Sequence, residues 1–120
     1  MPKNNLFGER LRERRQEKVS SDPAFSLRQL ATRVGIEPSY LSKIERGEQP
    51  PPGEETVRRI ADELGEDRDT LLALAGKVSG DLLEIIRERP TLVAALLRAI
   101  RRAPASRISE MARQVRDGDW

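Results

Sequence analysis

The chain has 120 residues, with 22 basic and 20 acidic side chains and neither cysteine nor histidine. That length holds one small domain, or one domain with an appendage. Disulfides, thiolate-bound zinc and thiol nucleophiles are excluded, and the commonest neutral-pH general base and transition-metal ligand is missing.

Apolar residues recur at helical spacing, no segment alternates for long and β-branched residues are sparse, so the fold class is all-α. A first helix from about Leu6 to Lys18 carries a narrow stripe of Leu6, Phe7 and Leu11. Its Arg12 and Arg14 read as solvated, with Glu9, Glu13 and Glu17 as helical neighbours. A polar loop, VSSDPAF, leads to a second helix. Ser26 is its N-cap, Gln29 completes a capping box, and Phe25 with Leu30 forms a hydrophobic staple. Leu27, Leu30, Ala31 and Val34 make its buried face, and Gly35 stops it.

The stretch GIEPSYLSKIERG, residues 35–47, holds a third helix. Pro38 suits the first helical position and Glu37 is its N-cap. EQPPPG must then be extended. A fourth helix, Glu54 to Leu64, buries Val57, Ile60, Ala61 and Leu64, and a fifth after Asp67 buries Leu71, Leu72, Leu74 and Ala75. Beyond Gly76, two or three more helices are broken at Pro90 and Pro104, with Ser79 and Thr91 as caps or first-turn residues. Residues 105–120 have little to bury and read as a loosely attached helix or a partly disordered tail.

Two helices joined by a short glycine-bearing turn form a helix-turn-helix arrangement. At 100° per residue, Leu41, Ile44 and Glu45 of the third helix fall on one side, and Ser39, Ser42, Lys43 and Arg46 on the other, with Tyr40 at the flank. Lys43 can donate to guanine, and Ser39 and Ser42 to either kind of base edge. Tyr40 can reach a phosphate or a thymine methyl. Arg46, Arg28, Gln29 and the Ser26 end of the second helix are candidates for phosphate. An ordinary solvated helix face is the alternative for these polar residues. Arg46 can instead complement the helix dipole.

SLRQLATRVGIEPSYLSKIERGE, with the following EETVRRIADELG, resembles the Xre/Cro family of phage Cro and lambda repressor type over about residues 6–76. The resemblance implies a five-helix DNA-binding domain whose third helix reads operator bases, here with Pro38, Ser39, Tyr40, Ser42 and Lys43. It also implies an ion pair between Arg15 and Glu45 that orients that helix. The longer loop before the second helix departs from the family pattern. So does Leu27, where many members have a phosphate-binding glutamine.

Charge is uneven. Residues 1–47 carry +4, residues 48–76 carry −5 and residues 77–120 carry +3, so one region suits a polyanion and another does not. Eighteen of the 22 basic residues are arginine, which suits phosphate and equally reflects a GC-rich genome. The expected organisation is a DNA-binding domain at residues 1–76 and a helical dimerisation segment at 77–120. The dimer surface is Leu82, Leu83, Ile86, Leu92, Val93, Leu96, Leu97 and Ile100. Two copies would read a palindrome, because one helix in one groove selects too few base pairs.

The function expected is a homodimeric, operator-binding transcriptional repressor. The alternative is an antitoxin-like regulator whose C-terminal helices grip a protein partner. No enzyme is expected without histidine, cysteine, a Gly-rich phosphate loop or clustered carboxylates; no cofactor or metal site is expected either, and the acidic block at Glu63, Glu66, Asp67 and Asp69 lacks calcium-loop spacing. No apolar run approaches a membrane span, and the N-terminus turns polar too soon for a signal peptide, so a cytoplasmic location is expected.

Overall fold

The computed structural model describes residues 5–120; residues 1–4, the start of the expected first domain, lie outside the described residues. Eight α-helices and one 3-10 turn are present, and no strand is found among the described residues. The chain divides into two compact units, the first ending at Ser79 and the second running from Gly80 to Trp120. The sequence puts this boundary after residue 76; the buried Ser79 belongs to the first unit.

The first unit contains α1 (Leu6–Val19), α2 (Leu27–Val34), α3 (Pro38–Glu45), α4 (Glu54–Leu64) and α5 (Arg68–Leu74). The starts of α5 and α3 have local causes. Asp67 Oδ2 accepts the Thr70 N–H at 2.9 Å and caps α5. Pro38 occupies the first turn of α3, where its missing N–H has no intrahelical acceptor to lose. At the end of α2, Gly35 takes φ 78°, a left-handed conformation that costs glycine little. This lets Gly35 N–H reach Thr32 O and Ile36 N–H reach Ala31 O, satisfying carbonyls that the helix end would orphan.

The core is Phe7 and Leu11 of α1, Leu30, Ala31 and Val34 of α2, Leu41 and Ile44 of α3, Val57, Ile60, Ala61 and Leu64 of α4, and Leu71 and Leu72 of α5. Each large side chain among them contributes roughly 1.5–3 kcal/mol by leaving water. Three expectations need correction. Leu6 is exposed, because it precedes Phe7 by 100° on the wheel and points off the stripe that Phe7 and Leu11 make. Leu27 is only half-buried, at the first position of α2. Leu74 and Ala75 lie at the frayed end of α5 and are half-buried, packing on the rim of the core.

The long loop before α2 has structure of its own. Asp22 Oδ1 accepts the Ala24 N–H at 2.9 Å and starts the 3-10 turn Pro23–Phe25. The turn brings Phe25 onto the core rim, with Lys18 Nζ 5.3 Å and the Arg33 guanidinium 5.1 Å from its ring centre. Arg14 is not merely solvated: its Nε donates to Glu66 at 3.2 Å, and Arg10 reaches the same oxygen at 3.3 Å. Glu66 sits in the turn between α4 and α5, so this pairing fastens α1 to the far end of the unit.

The second unit contains α6 (Gly80–Glu88), α7 (Pro90–Ile100) and α8 (Ala105–Arg116). Pro90 opens α7 from within its first turn, and Pro104 stands at the N-cap of α8. Residues 105–116 are thus helical. None of the three helices has a buried residue. Leu82, Leu83, Ile85, Leu92, Leu96, Leu97, Met111 and Val115 are exposed, while Ile86, Val93 and Ile100 are half-buried. No helix among the described residues is long and apolar enough to cross a membrane.

Candidate nucleic-acid interface

Ser26 builds one end of the site. Its Oγ accepts the Gln29 N–H at 3.2 Å, as an N-cap does. The reciprocal half of the expected capping box does not form, because the Ser26 N–H is spent on Pro23 O at 3.1 Å, inside the 3-10 turn. Gln29 is therefore left pointing to solvent beside Arg28, and both are exposed. The Ser26 hydroxyl hydrogen stays available to donate, and the Leu27 and Arg28 N–H groups precede any intrahelical acceptor. These donors share the first turn of α2.

A three-residue turn, Gly35–Glu37, leads into α3. Leu41 and Ile44 enter the core and Glu45 is buried with them. On the opposite face Ser39, Lys43 and Arg46 are exposed and Ser42 is half-buried; Pro38 and Tyr40 are half-buried at the flanks, Tyr40 packing against the core. The apolar pair thus anchors the helix by one side and leaves its polar side outward.

Two of the outward residues are already linked. Arg46 donates through Nη1 to Ser42 Oγ, and through Nε and Nη2 to the Glu48 carboxylate. Ser42 therefore has an acceptor lone pair occupied while its own hydrogen remains free to donate. Hydrogen bonding to Arg46 holds the Glu48 carboxyl below the usual carboxylate range and pushes the Arg46 guanidinium up. A carboxylate beside Arg46 is a feature that spacing alone did not indicate, and it tempers the attraction of that arginine for phosphate.

The tilt of α3 is fixed from α1. Arg15 Nε donates to Glu45 Oε2 at 2.7 Å and Nη2 to Oε1 at 2.9 Å, a two-pronged pair with side chains 12% and 5% exposed. Arg15 Nη1 also donates to Phe25 O at 3.4 Å, so one guanidinium ties α1 to α3 and to the 3-10 turn. At the other end of α1, Asn5 Nδ2 donates to Glu45 O at 3.1 Å. Gly8 lies so near that a Cβ there would stand 2.3 Å from Ile44 O. Sequence reasoning did not single out Asn5 or Gly8; a glycine inside an amphipathic helix is the one signal that could have exposed the close approach.

Between α1, α2 and α3 lies a cleft of about 220 Å³ lined by Arg12, Arg15, Gln16, Leu27, Ser42, Glu45 and Arg46. Arg15 is paired there with Glu45 and Arg46 with Glu48; Arg12 is the third guanidinium of the lining. Leu27, at the position where the resemblance implies a glutamine, forms part of the wall. The arrangement can present hydrogen-bond donors and positive charge over the span from the start of α2 to the end of α3. Among the described residues no group of acidic side chains is placed to hold a metal ion.

A family model described as a helix-turn-helix domain matches residues 6–74, the span from α1 through α5. No curated protein and no solved structure matches the chain.

Proposed function

The chain belongs to the helix-turn-helix domain family, and from that premise we propose a sequence-specific transcriptional regulator of the Xre/Cro type. It is a homodimeric repressor that reads a palindromic operator in double-stranded DNA, with α3 in the major groove. The observation that carries this reading is α3 itself: clamped by Arg15 and Asn5 on its inner side, with Ser39, Ser42 and Lys43 outward and Tyr40 at the flank against the core. Lys43 donates to guanine O6 or N7, Ser39 and Ser42 donate to base-edge acceptors, and Pro38 and Tyr40 line the groove wall. Ser26, Arg28, Gln29 and Arg46 meet the backbone phosphates on either side. The reading involves no catalysis, and a DNA target puts its site of action in the cytoplasm.

Selection of DNA from a random pool, at stated salt, tests it. An enriched palindrome with half-sites about 34 Å apart is the expected product. Lys43→Ala should then lose preference for that sequence. Arg28→Ala should weaken binding to every sequence and lower the slope of log affinity against log salt by about one. Both variants binding like wild type would remove α3 as the reader.

A second reading follows from the exposed apolar side chains of α6, α7 and α8: a protein partner held by the second unit, with the DNA-binding unit serving autoregulation. Stoichiometric co-purification of such a partner would favour it.

A further inference from the structure

Two serines on the outward side of α3 differ in how their hydroxyls are held. Ser39 is exposed and bonds no group among the described residues, so its hydroxyl turns freely and serves as donor or acceptor. Ser42 is half-buried, at the edge of the cleft between α1, α2 and α3. Its Oγ accepts from Nη1 of Arg46, one helical turn further on. Among the described residues Ser42 Oγ donates to nothing, so its hydrogen is left for a ligand.

The guanidinium is itself held in place. The Glu48 carboxylate accepts from Arg46 Nε and Nη2, which leaves Nη1 on the Ser42 side. An arginine has five N–H groups in a rigid fork. One hydrogen on Nη1 and one on Nη2 remain after these bonds, so holding Ser42 does not compete with a phosphate contact.

A hydroxyl oxygen that accepts from a cation becomes a poorer acceptor, and its O–H a stronger donor. That asymmetry sorts bases. In the major groove guanine offers O6 and N7, adenine N7 and thymine O4, whereas cytosine offers only its N4 amino donor.

We propose that Arg46 is a positioning residue for sequence specificity: by donating to Ser42 Oγ it fixes that serine as a donor, and the base facing Ser42 is guanine, adenine or thymine, never cytosine. The base facing Ser39, whose hydroxyl is not held, escapes this restriction. The inference rests on α3 being the groove helix and deepens that reading.

The test measures the affinity of the full chain, at one stated salt, for the selected operator with each of the four bases placed in turn at every position of one half-site. Ser42→Ala identifies the base that Ser42 faces, as the position whose preference it changes. There the wild type should bind the cytosine operator roughly three- to tenfold more weakly than the best base, the worth of one hydrogen bond. Arg46→Ala should weaken binding to every operator and, at that position alone, bring the cytosine penalty below about twofold. In the Ser42→Ala background, Arg46→Ala should weaken all operators alike and change no preference there. Both side chains lie outside the core, so circular dichroism melts of the variants should stay close to wild type. A cytosine penalty that survives Arg46→Ala in full overturns the inference and leaves Arg46 as a phosphate contact only. Cytosine favoured by the wild type at that position overturns it as well. So does a Ser42→Ala variant that keeps every wild-type preference, with α3 then reading through its other side chains. A wild type that binds all sequences equally overturns the groove reading of α3 itself.

Discussion

Gly8→Ala is the sharpest test of how α3 is held. An ideal Cβ at Gly8 would lie 2.3 Å from Ile44 O and 2.5 Å from Asn5 Oδ1. Asn5 can swing away; the carbonyl is backbone of α3 and can move only with its helix. Reaching ordinary van der Waals contact requires α1 and α3 to part by about 1 Å, and forcing atoms into a packed site costs roughly 1–3 kcal/mol. The bond from Asn5 to Glu45 O would be lost too, at roughly 0.5–1.5 kcal/mol. Against this, alanine is about 1 kcal/mol better than glycine inside a helix. The balance is a loss of roughly 1–3 kcal/mol, which lowers the Tm of a unit this size by roughly 5–20 °C. A circular dichroism melt measures it, and a gel shift at fixed salt should show operator affinity falling further than the melt accounts for, since α3 itself is displaced. If Gly8→Ala melts at or above wild type, the two helices are not in the close contact described and the argument fails.

Other perturbations bear on single interactions. Arg15→Ala leaves Glu45 buried without its partner and should cost roughly 3–5 kcal/mol in urea unfolding, whereas Arg15→Ala with Glu45→Ala together should cost much less than the sum of the single changes. Ser26→Ala should cost roughly 0.5–2 kcal/mol by exposing the first turn of α2. Glu48→Gln should raise DNA affinity about two- to tenfold at low salt by freeing Arg46, with the gain vanishing as salt rises; an unchanged affinity would show that Arg46 does not approach phosphate. The Asp67 carboxyl is held below its ordinary value, first by the Thr70 N–H and then by the Thr70 hydroxyl. A lowered folded pKa means its cap stabilises α5 above the ordinary carboxylate value, from about pH 4 upward, and is lost as pH falls through the lowered value. A carboxyl 13C titration by NMR should find that midpoint lower in the folded chain than in an unfolded fragment.

Much of the first unit was legible because its signals are local. Ser26 and Gly35 bracket α2, Asp67 opens α5, and the 3.6-residue spacing of Val57, Ile60, Ala61 and Leu64 marks the buried side of α4. What failed depended on long separations or on competition for one group. Gly8 and Ile44 are 36 positions apart, so no window of sequence joins them. The Gln29 half of the capping box was lost to Pro23, whose carbonyl took the Ser26 N–H first. Arg14 looked solvated among its helical neighbours, yet Glu66, 52 residues on, bonds it. The Arg15–Glu45 pairing came from family resemblance, since nothing in spacing alone matches residues 30 apart. For α6 to α8, periodicity revealed the apolar stripes without telling what covers them.

Among the described residues, every buried hydrophobic side chain lies between Phe7 and Leu72. Substitutions along α6, α7 and α8 therefore remove no hydrophobic side chain from the buried core that holds α3. On the proposed homodimer reading, such a layout would let duplicated genes diverge in whom they pair with while inheriting intact the core that holds α3.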